Sequence, residues 1–195
     1  MRVIDLIKSP EKTAFSFEIL PPLKGTGIEK LYETIDSLRE FDPKYINITT
    51  HRSEYVYREL GNGLYERKRI RRRPGTVAVA AAIQNKYNIT VVPHILCSGF
   101  TREDTEYVLL DLQFLGITDL LILRGDKAKH EQVFTPEPGG YAHAIELEHQ
   151  IKILIKVYSS TDHQSRLPYI HSAMESLVIR RNMRKLLIWN KISTG

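Results

Sequence analysis

Cysteine, tryptophan and long apolar runs are what this 195-residue sequence has least of. One cysteine, Cys97, rules out an internal disulfide. The longest fully apolar run, Val77 to Ile83, is far below the ~20 residues that span a bilayer, so no membrane segment is expected. The opening Met1-Arg2-Val3-Ile4-Asp5 places an acid where a secretory signal needs its apolar stretch, which points to a cytoplasmic protein. There is no zinc-ligand spacing, no phosphate-loop lysine motif and no Gly-x-Ser-x-Gly elbow, so no metal site is expected. With 42% hydrophobic and 26% charged residues, the chain has globular composition, which excludes disorder, collagen and coiled coil. The length suits one core and one domain.

Charge is unevenly spread. Residues 1–150 carry 20 Lys+Arg against 21 Asp+Glu, net −1, whereas residues 151–195 carry 8 against 2, net +6. The overall +5 is therefore a property of the tail and a poor argument for nucleic acid. One basic cluster, Arg67-Lys68-Arg69-Ile70-Arg71-Arg72-Arg73, lies in the first part. It has no nucleic-acid motif around it and reads as a solvated loop and helix entry.

Four β-rich runs recur: Ala14 to Leu20, Tyr45 to Thr50, Thr90 to Leu96 and Leu120 to Asp126. Helical patterns alternate with them. Leu31, Ile35 and Leu38 fall at helical spacing, Val77 to Ile83 precedes the third run, Thr101 can cap a helix carrying Val108, Leu112 and Leu115, and Ala142 to Ile151 follows the fourth. Such alternation specifies βαβ units and a parallel sheet, because parallel strands need a crossover. A doubly wound dinucleotide fold wants a glycine-rich turn after its first strand, and here that strand ends in Leu20-Pro21-Pro22. A (β/α)-barrel fits better, with polar groups at the strand ends: Glu18, Thr49, His94, Arg124 and Asp126. A complete barrel takes about 250 residues and eight strands, so only the first four βα units are expected here.

Glu18 lies between Phe17 and Ile19 in an apolar strand. A carboxyl taken out of water holds its proton more tightly and can serve as a general acid near neutrality. A structural carboxylate paired with an arginine accounts for the same pattern. Gly125 permits close approach to a ligand beside Asp126, although Gly and Asp also favour plain strand-terminal turns. His94 can pack in the core or bond a cofactor. Cys97 reads as a small buried residue.

The segments Phe15-Ser16-Phe17-Glu18-Ile19-Leu20-Pro21-Pro22, Asn47-Ile48-Thr49, Pro93-His94-Ile95-Leu96-Cys97 and Leu123-Arg124-Gly125-Asp126 occur in this order over residues 1–151. Together they resemble the successive strand motifs of the methylenetetrahydrofolate reductase family. The resemblance implies a flavin-containing (β/α)8 TIM barrel. NADH or NADPH would reduce FAD, and FAD would reduce the folate substrate 5,10-methylenetetrahydrofolate to 5-methyltetrahydrofolate. It implies that Glu18 is the general acid that helps open the folate ring, and that Asp126 stands between flavin and pterin. It also implies that Thr49, His94, Arg124, Gly125, Asp126 and Ala142 contribute to the FAD site. No nucleic-acid or membrane partner is implied.

From about residue 152 the family pattern stops, and the genetic code suggests why. If the last base of each codon is joined to the first two of the next, Met174 followed by Glu175 forces a glycine codon. The residues from Glu175 through Ile188 then permit Gly-Val-Ala-Gly-Tyr-Pro-Glu-Lys-His-Glu-Glu-Ala-Pro-Asn, which resembles the family's next strand motif. The same shift around Leu154 to Val157 permits Leu-Asn-Lys-Gly, which suits the linker before that strand. The expectation is an N-terminal half-barrel over 1–151 and an out-of-frame tail over 152–195 that supplies no strand of the expected type; the alternative is a genuinely divergent C-terminus. A four-strand sheet would expose two edges, favouring aggregation or pairing with another half-barrel as a homo-oligomer. The rival expectation is a catalytically inactive fragment or binding module that keeps the four βα units without flavin.

Overall fold

The computed structural model describes residues 2–8, 14–128, 131–160 and 191–193. The four expected strands are present as β1 (Ser16–Leu20), β2 (Tyr45–Ile48), β5 (Thr90–Leu96) and β6 (Leu121–Leu123). The helices are α1 (Val3–Lys8), α2 (Ile28–Leu38), α3 (Thr76–Tyr87), α4 (Arg102–Phe114) and α5 (Ala144–Ser160). Between β2 and α3 stands an antiparallel hairpin, β3 (Glu54–Gly61) and β4 (Leu64–Ile70), and a short strand β7 (Lys191–Ser193) completes the order.

Local sequence explains the helices. In α2, Leu31, Ile35 and Leu38 fall on one face and are buried, as the 3.6-residue period requires. In α4, Thr101 is the anticipated cap: its hydroxyl accepts the Asp104 amide at 3.1 Å, while the Asp104 carboxylate accepts the Thr101 amide at 3.0 Å. Helix α3 stops where Asn88 adopts φ 53, a left-handed conformation that asparagine tolerates.

The large sheet is parallel, in the order β6-β5-β2-β1-β7. Its register sorts side chains between two faces. Glu18 lies opposite Asn47, Asn47 opposite Val92, and His94 opposite Leu121. These residues therefore share the inner face with Tyr45, Leu96 and Leu123. The alternate positions Ile19, Ile46, Ile48, Val91, Ile95 and Ile122 belong to the main hydrophobic core, with Leu31, Ile35, Ile83, Leu112 and Leu147 from the helices. A second cluster joins Tyr45, Val92 and Leu121 to Val3, with Leu6 and Leu123 packed against it. Helix α1 thus plugs the inner face at the N-terminal end of the strands. It is held there by the Val3 amide, which donates to the buried Asp119 carboxylate at 3.0 Å.

Two expectations are corrected. The basic cluster is no plain loop: Arg67, Lys68, Arg69 and Ile70 lie in β4, and only Arg71, Arg72 and Arg73 lead into α3. The turn Asn62-Gly63, with φ 53 and 73, lets the chain reverse there. The expectation of two bare sheet edges also fails on one side, since Lys191–Ser193 pairs in parallel with β1, Glu18 standing opposite Lys191. Main-chain hydrogen bonds require no particular side chains, so an unpaired strand edge can be met by any short extended segment. Residues 174–188, where the shifted-frame motif lies, fall outside the described residues. The boundary expected at 151/152 falls within α5.

Candidate functional site at the strand ends

The inner face carries polar residues toward the C-terminal ends of the strands, the end at which barrels place their chemistry. Glu18 is half-buried on β1, and the Thr49 hydroxyl donates to its Oε1 at 2.7 Å from the end of the neighbouring strand. Thr49 is itself fixed by its amide, which donates to the Ile19 carbonyl at 3.0 Å. Asn47, in register with Glu18, is only 3% exposed, and its Nδ2 has no hydrogen-bond partner among the described residues. His94 is buried on β5, and its carbonyl accepts the hydroxyl of Thr50, which also bonds the Thr76 hydroxyl.

The turn after β6 brings in the rest. Arg124 is exposed, its guanidinium 5.2 Å from the Phe134 ring centroid. Gly125 has φ 79, and a Cβ there would meet the Ser98 Cβ at 2.7 Å, so both backbone conformation and space call for glycine. Asp126 is exposed, and no hydrogen bond or ion pair engages its carboxylate among the described residues. Ser98 binds this turn from the loop after β5, and Arg52 from the loop after β2 donates to the Ser98 hydroxyl. Sequence reading missed both, along with Thr50, and placed Asn47 in a motif without giving it a role. The adjacent hydroxyls Thr49-Thr50 at a strand end were the available signal for Thr50.

Ala142 stands apart from the others. It lines a cavity of about 510 Å³ between the start of α4 and α5, with Arg102, Tyr141, His149 and Ile153, and none of Glu18, Thr49, His94 or Asp126 lines that cavity. The Arg102 guanidinium lies 4.8 Å from the Tyr141 ring centroid, giving the cavity a cationic and aromatic wall. Cys97 is buried as expected, and desolvation, with the Glu146 charge next in size, pushes its thiol up to about 11. It is therefore an unreactive thiol at neutral pH.

The model of the family described as methylenetetrahydrofolate reductase matches residues 3–165. The chain belongs to the methylenetetrahydrofolate reductase family. Among its relatives, the Arabidopsis thaliana protein named methylenetetrahydrofolate reductase (NADH) 1 is 30% identical over 155 residues, covering 78% of this chain and 24% of the relative. The Zea mays protein of the same name is 28% identical over 155 residues, with 78% and 23% covered. The Salmonella typhimurium protein named 5,10-methylenetetrahydrofolate reductase is 28% identical over 111 residues, with 57% and 32% covered. The chain thus spans about a quarter to a third of the length of these relatives.

Membership gives the strand-end geometry a ligand class against which to test it. A planar, polar cofactor with a phosphate-bearing chain needs hydrogen-bond donors inside, close backbone approach at the rim and a cation. The buried unpartnered Asn47 amide, the Gly125 turn and the exposed Arg124 guanidinium meet those needs on one side of the mouth. The residues present therefore fit such a group. No helix among the described residues is long and apolar enough to cross a membrane.

Proposed function

We propose that this chain carries the first part of the site at which 5,10-methylenetetrahydrofolate is reduced to 5-methyltetrahydrofolate. The observation that carries the reading is the Glu18 carboxyl at the inner-face end of β1, with Thr49 donating to Oε1 at 2.7 Å. Because that oxygen is occupied as an acceptor, the proton of a neutral Glu18 belongs on Oε2. From there it can pass to a ring nitrogen of the folate as the carbon–nitrogen bond breaks and an electrophilic iminium forms. The uncommitted Asp126 carboxylate supplies the negative charge that such a cation requires. FAD, held by Thr49, His94, Arg124, Gly125, Asp126 and Ala142, would supply the hydride it takes from NADH or NADPH. The word NADH in the plant relatives' names supports NADH as that donor.

The reading includes the frame of the tail. We read residues from about 152 onward as the product of a shifted frame, supported by the codon-permitted string from Glu175 through Ile188, although the family match itself runs on to residue 165. One base gained or lost near codons 148–156 of the gene would establish it, and an uninterrupted native frame there would overturn it. Reductase competence then belongs to the frame-restored protein. A second reading, a four-unit scaffold that binds without turning over substrate, is favoured by the β7 pairing that covers the edge of β1.

The test of the first reading is Glu18→Gln in the frame-restored protein. FAD binding and flavin reduction by the nicotinamide donor should persist, while folate reduction falls about 10²–10⁴-fold for want of the proton donor. Folate turnover close to the parent rate would remove Glu18 from the acid role.

A further inference from the structure

We propose that Arg52 and Ser98 are positioning residues that set where Asp126 stands at the mouth of the site, a role that rests on the reading of Asp126 given above. The two come from different loops. Arg52 follows β2, Ser98 follows β5, and Asp126 follows β6. The Ser98 hydroxyl donates to the Asp126 backbone carbonyl at 2.8 Å and accepts from the Arg52 guanidinium at 3.1 Å. A hydroxyl has one proton to give, so the guanidinium, by occupying a lone pair, directs that proton at Asp126.

The remaining contacts stiffen this arrangement. Ser98 is 1% exposed, and its amide donates to the Arg124 carbonyl at 2.9 Å, so serine holds the turn at two carbonyls, one on each side of Gly125. Arg52 also lies 3.7 Å from Glu131, both side chains 18% exposed, and Glu131 in turn accepts the Ala128 amide at 2.7 Å. Asp126, by way of Ser98, and Glu131 are thus both tied to one partly buried guanidinium. On the other side, a Cβ on Gly99 would lie 2.8 Å from the Arg52 Cβ, so glycine there lets the two loops close. Among these bonds, Asp126 is engaged only through its backbone carbonyl. Its carboxylate is left for ligand, which is what separates a device for positioning from an ion pair that neutralises.

Two variants test this. In the 195-residue chain, Ser98→Ala and Arg52→Met should speed amide exchange across 126–128 at least tenfold, with exchange in α4 and β5 unchanged. Arg52→Met covers the case in which the buried Ser98→Ala does not fold. In the frame-restored protein, both variants should raise the folate KM about tenfold while flavin reduction by the nicotinamide donor keeps its rate. Arg52→Lys, which keeps a donor, should recover part of the loss. Unchanged exchange at 126–128 overturns the strut, and equal losses in both half-reactions reduce it to a general structural contact. A frame-restored parent that turns over no folate at all would sink the role of Asp126 itself, and the exchange result would still decide whether Arg52 and Ser98 hold the turn.

Discussion

The two faces of the parallel sheet are built from adjacent residues and obey different rules. Toward the helices stand Ile19, Ile46, Ile48, Val91, Ile95 and Ile122, all buried in one aliphatic core. Toward the inside stand Glu18, Asn47 and His94 in the same strands, one residue along. Stability alone would have filled both faces with aliphatics, since a buried amide without a partner costs about 1–3 kcal/mol. The polar row is therefore the part of the sheet that stability does not account for, and it lies at the end where a barrel does its chemistry.

The sharpest way to break this comparison is to mutate neighbours on opposite faces. Ile46→Ala empties a fully buried position and should cost about 2–5 kcal/mol, read from the urea midpoint. Asn47→Leu, on the next residue, replaces an orphaned amide with an apolar group of similar size. It should cost less than about 1 kcal/mol and can stabilise, while FAD affinity falls in the frame-restored protein. Equal destabilisation by the two would erase the distinction between the faces.

A smaller effect sharpens the comparison at the opposite end of the strands. Asp119 is buried, and desolvation raises its pKa above the ordinary carboxylate range, although the Val3 amide bond pulls the other way. With the folded-state value raised, the proton is bound more tightly in the folded chain. Asp119 thus contributes stability that is full below the unfolded pKa and is lost as pH rises through the folded one. Asp119→Asn keeps an acceptor for Val3 and should flatten that part of the stability curve between acid and neutral pH. Asp119→Ala should cost about 1 kcal/mol by freeing the N-terminal plug. Urea melts across that pH interval read both effects, and an unchanged slope in Asp119→Asn would remove Asp119 as the titrating group.

What could be read in the sequence follows from range. Strands β1, β2, β5 and β6 announce themselves by runs of apolar and β-branched residues between turn signals, and α4 by its Thr101 cap, because those causes lie within a few residues. Helix α1 has six residues, too few to show a period. The hairpin carried its own signal, Asn62-Gly63, but the charge of Arg67 to Arg73 hid the strand. The family motifs pointed to Glu18 and Asp126. Arg52 and Ser98 were invisible for a different reason: their partners lie 46 and 28 residues away, and only the closing of three loops brings them together.

The central claim is that this chain holds one side of a flavin site and that the rest is encoded out of frame beyond residue 152. Visible absorbance of the purified 195-residue protein, beside a frame-restored version prepared with added FAD in the same way, tests it most directly. The account predicts no bound flavin on the first and stoichiometric flavin on the second. Stoichiometric FAD on the unmodified chain, with turnover of methylenetetrahydrofolate, would contradict it and make the tail a structural substitute for the missing strands.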